Sequence, residues 1–304
     1  MHTLSIKRRG HINSFIYRLR KGRALTAVVL SALFISSVFT PAQAETINCT
    51  PITSVPATIT TQGIYCLTGD LSTTMTSGYA IALYASNVTI DLNGYKLGGL
   101  GAGPGTSAIG IYAYQMKNIT IKNGSVRGFM NGIAFDDASP YTTSSGHLIE
   151  DIRADGNTWN GIEVVGTGII VRNNQVVKTG GSTVIGRGSA HGIIAVGAGS
   201  SIVNNDITNT VELTNSDISS GVWVSGCNGC VVENNRISNS TRGPGASYGV
   251  YMYSSSNVMA VNNRMSTSVW GIYYDTGSTG KYRDNLTGSV SYPYTGGTNI
   301  GNNN

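Results

Sequence analysis

The tetrapeptide Gly161-Ile162-Glu163-Val164 is one of seven copies of a short unit in which a glycine precedes apolar residues. The copies are separated by 22, 29, 31, 29, 28 and 22 residues, and their glycines are Gly110, Gly132, Gly161, Gly192, Gly221, Gly249 and Gly271. A short unit that recurs at such intervals is typical of a solenoid, in which each coil packs only against its neighbours. The repeat therefore predicts stacked coils after about residue 70, with almost no helix.

A second element follows most of these units after 12 or 13 residues, as a short apolar strand that ends in an asparagine-rich step. An insertion at residues 137–146 delays this strand in one coil, and residues 87–94 predict the same step in an opening coil. Asparagine tolerates the left-handed backbone of a tight turn, and its amide can bond to the next coil at a spacing of about 4.8 Å. We therefore predict a structural asparagine ladder at Asn123-Gly124, Asn173-Asn174, Asn204-Asn205, Asn234-Asn235, Asn262-Asn263 and Asp284-Asn285.

Alternation along each strand separates the two faces of the predicted sheet. The residues one and three positions after each repeat glycine are mostly aliphatic, so we expect them to point inward and stack into a continuous core. The residues two positions after the glycine then form an outward column: Tyr112, Ala134, Glu163, Ile194, Trp223, Tyr251 and Tyr273. Three aromatic residues on successive coils predict a flat ladder roughly 10 Å long, suited to the apolar faces of sugar rings.

The charge of the chain is concentrated at its N-terminus. The sequence has 304 residues, with 20 Lys and Arg against 15 Asp and Glu, but residues 1–44 contain seven of the basic residues and no acidic one. The basic run precedes an apolar stretch at 24–39 and an Ala-x-Ala site that ends at Ala44, as in a secretory signal peptide. We therefore expect residues 1–44 to be removed, and a secreted protein, periplasmic or extracellular, that no longer contacts the membrane.

The rest of the chain carries 13 basic and 15 acidic residues, so a general basic surface for nucleic acid is excluded. The chain has four cysteines, an even number that suits an oxidising compartment. Their spacing favours the disulfides Cys49–Cys66 and Cys227–Cys230. A redox or metal role for Cys227 and Cys230 is disfavoured because no second cysteine pair or histidine cluster accompanies them in the sequence.

The repeat and the asparagine steps resemble those of parallel β-helix repeat proteins of the pectin lyase-like superfamily. The resemblance implies an all-β fold, a single-stranded right-handed parallel β-helix. We expect a signal peptide at 1–44, an N-terminal cap segment at 45–77, the β-helix at 78–290 and a C-terminal tail at 291–304. The resemblance further implies polysaccharide lyases, glycoside hydrolases, epimerases, esterases or non-catalytic adhesins, with carbohydrate as the common theme.

The catalytic motifs of the superfamily match only in part. Asp136-Asp137 and the turn Ala190-His191-Gly192 are similar to two steps of polygalacturonase-like hydrolases, but the other two steps have no counterpart. The resemblance also raises calcium as a cofactor, as in pectate lyase-like members, yet the sequence shows no comparable carboxylate cluster, and no metal ligands are assigned. We therefore take Glu163, Asp136 and His191 as candidate catalytic residues, because each lies on or beside the outward face.

Three long connections, at 179–191, 209–220 and 239–248, each precede a glycine unit and predict a wall beside the aromatic column. They bring Arg187 and Arg242 toward it, so the predicted substrate-binding residues are Trp223, Tyr251, Tyr273, Arg187 and Arg242. We expect a monomer, and two functions stay open for it. One is a secreted enzyme, a polysaccharide lyase or glycoside hydrolase, and the other is a non-catalytic carbohydrate-binding or adhesin-like surface protein.

Overall fold

The computed structural model describes residues 48–214, 216–238 and 246–304. The predicted signal peptide and Arg242 lie outside these residues. The described chain is almost entirely β-structure, and its one helical element is the single 3₁₀ turn Leu100–Ala102. None of the described residues belongs to a helix that is long and apolar enough to cross a membrane.

All paired strands run parallel, and each coil of the chain contributes to up to three faces. The first face is a ten-strand sheet that contains the glycine units. Its strands are Ala57–Ile59, Tyr79–Leu83, Ile109–Tyr114, Asn131–Asp136, Asn160–Val165, Ala190–Val196, Ile218–Ser225, Ala246–Tyr253, Trp270–Tyr274 and Tyr292–Thr295.

The second and third faces belong to one 18-stranded sheet, because Thr120–Arg127 and Leu148–Asp155 are long enough to run through both. The other strands of the second face are Thr50–Ile52, Gly63–Leu67, Val88–Asp91, Ile170–Arg172, Ser201–Val203, Val231–Glu233, Val258–Val261, Gly280–Arg283 and Thr298–Asn299. The other strands of the third face are Leu71–Ser72, Lys96–Gly98, Gln175–Val177, Asp206–Thr208, Arg236–Ser238, Arg264–Ser266 and Leu286–Gly288.

The core consists of aliphatic columns that run along the solenoid. On the ten-strand sheet the parallel register aligns Ile111, Ile133, Ile162, Ile193, Val222, Val250 and Ile272 on successive coils, and each is fully buried. The predicted inward face is thus confirmed. Stacking stabilises every coil through its neighbours, because a single coil has too little apolar surface to form a core alone.

The repeat glycines are explained by lack of space. A Cβ atom on Gly161 would lie 2.5 Å from Val176 Cγ1, and one on Gly221 would lie 2.3 Å from Ile237 Cγ2. Both neighbours belong to the third face, so this face packs directly against the repeat glycines. Neither glycine has a positive φ, so any side chain is excluded by packing rather than by backbone conformation.

The two residues of an asparagine step have different roles, one in the backbone turn and one in side-chain hydrogen bonds between coils. The first residue adopts the left-handed backbone, with φ of 54° at Asn234 and 52° at Asn262. The second is buried and donates its side-chain amide to the next coil. Distances of 3.0 Å join Nδ2 to Oδ1 along Asn174, Asn205, Asn235, Asn263 and Asn285.

The coils extend beyond the predicted bounds of 78–290 at both ends. Ala57–Ile59 pairs with Tyr79–Leu83, and Tyr292–Thr295 pairs with Trp270–Tyr274. The segments predicted as cap and tail are therefore built into the solenoid from residue 50 onward, although their coils lack the glycine unit. Both predicted disulfides are present, between Cys49 and Cys66 and between Cys227 and Cys230.

Candidate functional site

The outward column of the ten-strand sheet is aligned as the alternation predicts. Glu163 pairs with Ile194, Ile194 with Trp223, Trp223 with Tyr251, and Tyr251 with Tyr273. The three aromatic rings do not form a flat ladder, however. Trp223 is tilted by 41° against Tyr251, and Tyr251 meets Tyr273 edge to face at 64°. Sequence alternation identifies a shared column but not ring orientation, which follows from the contacts that each ring makes with its neighbours.

A second column lies beside the first and was not predicted. It consists of the residues that immediately precede the repeat glycines, among them Asn131, Asn160, His191 and Tyr248. Strict alternation would place these side chains inward, yet they contact the outward column: Tyr248 stacks on Tyr251, and both asparagines bond to Glu163. A Cβ atom on the glycine would meet buried residues such as Val176, so the alternation is broken at the glycine and this column turns to the outer face.

The carboxyl group of Glu163 is held by two side-chain amides. Its Oε2 atom accepts hydrogen bonds from Asn131 Nδ2 at 2.7 Å and from Asn160 Nδ2 at 2.9 Å. Burial raises the pKa of Glu163, and Asp136 adds to the rise, while the two amides and Arg187 act against it. The net direction is upward because the loss of solvent around the charged form outweighs the hydrogen bonds that stabilise it.

The two asparagines that hold this carboxyl are themselves buried. The Oδ1 atoms of Asn131 and Asn160 find no hydrogen-bond partner within the described chain. A protonated Glu163 could donate to one of these acceptors after the amide rotates, which would relieve a buried unsatisfied group. The surroundings of Glu163 thus accommodate both the charged and the neutral carboxyl.

Asp136 lies on the coil before Glu163 and two residues further along its strand, since Ala134 is the register partner of Glu163. Its side chain is exposed, and Oδ1 accepts the backbone N–H of Asp137 at 2.9 Å. Such a diagonal between neighbouring strands is on the order of 7–8 Å. The two carboxyls therefore share one face with a gap between them.

His191 lies within the strand Ala190–Val196, and not in a loop as its place at the end of 179–191 indicates. The imidazole is buried, its Nδ1 lies 2.8 Å from Ser220 Oγ, and the ring meets Trp223 edge to face at 4.5 Å. Burial lowers the pKa of His191 to about 3. His191 is thus neutral near pH 7, and its hydrogen bond and ring contact support the position of Trp223.

A cleft of about 310 Å³ opens on this face around Ile194. We call it the tryptophan cleft, because Trp159 and Trp223 line it from the coils before and after Ile194. Arg187 lies over Trp159, with Cζ 3.7 Å from the ring centroid, in cation–π contact. The remaining lining residues are Gly186, Ser189, His191, Val196 and Ser225.

The wall of the cleft comes from the connection at 178–189, as predicted for the first of the three long connections. This connection is tied to an earlier coil, because Thr183 N donates to Pro104 O at 3.0 Å. In the second connection Glu212 is buried, and Asp217 accepts from Thr214. The third connection includes residues 239–245, so Arg242 and its predicted role lie outside the described chain.

Trp159 and the asparagines were missed by sequence reasoning, although a signal existed. They lie one or two positions before the repeat glycine, where polar and aromatic residues recur from coil to coil. The described residues contain no cluster of three or more His, Cys, Asp or Glu side chains that could hold a metal ion.

The fold agrees with comparisons to known proteins. Residues 167–303 match the family described as right handed beta helix region. The chain folds as a right-handed parallel β-helix. Comparison of this β-helix protein with curated proteins found no match.

Solved structures share the β-helix architecture at low sequence identity. Tailspike protein 2 from Escherichia coli O157:H7 bacteriophage CAB120 is 12% identical, with a TM-score of 0.52 over 81% of this chain and 37% of the tailspike. The A-module of mannuronan C-5 epimerase from Azotobacter vinelandii is 15% identical, with a TM-score of 0.41 over 79% and 81% of the two chains. The β-helix protein thus spans little more than a third of the tailspike, and the likeness to the tailspike concerns the fold alone.

Proposed function

We propose that this β-helix protein is exported and binds a polysaccharide along the outward face of its ten-strand sheet. The observation that carries the proposal is the tryptophan cleft, where Trp159 and Trp223 flank an apolar floor at Ile194. Indole rings pack against the apolar faces of sugars, and ligand sites typically enclose about 300–1,000 Å³. Arg187, Ser189 and Ser225 supply polar groups for sugar hydroxyls around the same opening.

The direction of the bound chain follows from the sheet. Tyr251 and Tyr273 continue the column of Trp223 toward the C-terminus, and Glu163 continues it toward the N-terminus. A glycan parallel to the solenoid axis would cross the cleft and contact the aromatic edges beyond it. Export is supported by the two disulfides, which persist in oxidising compartments.

Binding is tested by affinity electrophoresis of the exported protein in gels that contain members of a polysaccharide panel. Trp223→Ala should weaken binding roughly 10-fold or more, as expected for an aromatic residue at the centre of a contact. Tyr84→Ala is the matched control, because Tyr84 is an exposed aromatic residue far from the cleft along the solenoid. Equal retardation of both variants at unchanged melting temperature would place the glycan elsewhere.

A second function, hydrolysis of the bound polysaccharide, is favoured by the raised pKa of Glu163 beside Asp136. Glu163 in its protonated form would donate its proton to the glycosidic oxygen. Asp136 would take a proton from a water molecule that attacks the anomeric carbon from the opposite side. Inverting pairs hold their carboxyl groups about 6.5–9.5 Å apart, and an offset of one coil and two residues on the same face suits such a separation.

The hydrolase proposal is tested with reducing-end and 235 nm absorbance assays over the same polysaccharide panel. Removal of a general acid typically costs about 100- to 10,000-fold in rate, so Glu163→Gln should abolish turnover and preserve binding. Absorbance at 235 nm would indicate a lyase instead. Binding without any product from the wild-type protein would identify the non-catalytic alternative, a carbohydrate-binding or adhesin-like protein.

A further inference from the structure

A second and larger cleft, of about 540 Å³, lies on the third face near the N-terminal coils. It shares no residue with the tryptophan cleft. We call it the N-terminal cleft, and its lining residues are Ser72, Thr73, Thr74, Lys96, Gly98, Leu100, Gly101 and Arg127.

The cleft exists because one outward column lacks a side chain. The register aligns Ser72 with Gly98 and Gly98 with Arg127 on three successive coils. A Cβ atom on Gly98 would lie 3.3 Å from Ser72 Oγ, and one on Gly101 would lie 2.8 Å from Thr74 Cγ2. The two glycines thus allow Ser72 and Thr74 to lie close to the backbone, and the cleft includes a notch between these side chains and Arg127.

The charges around the notch are not balanced. Lys96 Nζ pairs with Asp70 at 2.8 Å, whereas Arg127 and Arg153 share the single oxygen Oδ2 of Asp155, each at 3.6 Å. Three cations therefore face two carboxylates in this group. In addition, Arg127 Nε is buried and has no hydrogen-bond partner within the described chain.

We propose that the N-terminal cleft binds an acidic sugar unit through its oxyanion, either a carboxylate or a sulfate ester. An oxyanion in the cleft would accept from the partly exposed guanidinium of Arg127 and balance the excess positive charge. The hydroxyls of Ser72 and Thr74 match sugar hydroxyls, and the side chain of Leu100, 54% exposed, offers an apolar contact. The proposal is independent of the function proposed for the tryptophan cleft, because it concerns another face.

The test uses isothermal titration and two-dimensional NMR of the full exported protein with four probes: sodium sulfate, glucose 6-sulfate, glucuronate and glucose. We expect glucose 6-sulfate or glucuronate to bind more tightly than both sulfate and glucose, and the preferred one of the pair identifies the oxyanion. Equal affinity for sulfate and glucose 6-sulfate would overturn the assignment to a sugar. Absence of binding by both acidic sugars would overturn the site itself.

Three variants locate the binding. Arg127→Gln should weaken it at least about tenfold through loss of a charge-assisted hydrogen bond, and Gly98→Ser should weaken it by filling the notch without a change in charge. Arg153→Gln is the matched control, because it removes a cation from the same ion-pair group but does not line the cleft. Losses in Arg153→Gln equal to those in Arg127→Gln would indicate general electrostatic attraction and refute the site. If the Arg127→Gln variant does not fold, the site is tested by Gly98→Ser alone, and unchanged binding in that variant would refute it.

Discussion

Asn235 occupies the middle of the asparagine ladder, and its replacement by alanine tests what the ladder contributes. Its Oδ1 accepts from Asn205 N at 2.9 Å and Asn205 Nδ2 at 3.0 Å, and its Nδ2 donates to Ile202 O and Asn263 Oδ1. Asn235→Ala removes all four bonds. The Asn263 oxygen keeps a donor, the backbone N–H of residue 235, but Asn205 is left with two buried, unpaired N–H groups.

Each unpaired buried group costs about 1–3 kcal/mol, so Asn235→Ala should reduce the free energy of unfolding by about 2–6 kcal/mol. The neighbouring Asn234→Gly is the control, because it also removes an amide bond between coils, from Asn262 Nδ2 to Asn234 Oδ1, but an exposed one. Glycine adopts the φ of 54° found at Asn234 freely. That change should stay within about 0.5 kcal/mol. Urea denaturation followed by circular dichroism measures both. A loss below about 1 kcal/mol in Asn235→Ala, or equal losses in the two variants, would refute the hydrogen-bond account of the ladder.

Two further predictions concern stability. Gly221→Ala should lower the free energy of unfolding by about 1–3 kcal/mol or more, because the added Cβ overpacks against Ile237. Gly288→Ala is the control and should be near neutral, because its Cβ would meet open space. Similar urea midpoints for the two variants would contradict the spatial role of the repeat glycine. Burial lowers the pKa of His147 to about 4. As the pH falls from about 6.5 to 4, the unfolded chain therefore binds more protons than the folded chain. His147 should account for a loss on the order of 3 kcal/mol in the free energy of unfolding across that pH range. Melting temperatures measured from pH 7 to 4 should therefore fall less steeply for His147→Asn than for the wild type, and parallel curves would show that His147 is not responsible.

The sequence alone determines the architecture, because a solenoid repeats its local rules in every coil. Three features of the sequence each correspond to a contact with the adjacent coil: the spacing of Gly161, Gly192 and Gly221, the apolar residues after them, and the paired asparagines. A repeat of contacts between neighbours is visible as a repeat in sequence. For the same reason the repeat and the strand alternation together suffice to align the outward column through Glu163, Trp223 and Tyr251.

The ends of the solenoid are harder to place from sequence. The first and last coils lack the glycine unit, so residues such as Ala57 and Tyr292 carry no recognisable repeat, although both lie in paired strands. Parallel pairing needs only a compatible backbone and an inward apolar residue, and a terminal coil satisfies this with a different sequence. The solenoid is therefore longer than its visible repeat.

Only the tertiary structure decided how the outward face is arranged. Asn131, Asn160 and His191 turn to the outer face, against simple alternation, next to repeat glycines that have no space for a side chain. The burial of Glu163, the cleft between Trp159 and Trp223, and the notch at Gly98 likewise arise where residues from several coils or loops converge. Such features depend on distances between segments about 20 to 80 residues apart, and no local pattern encodes those distances.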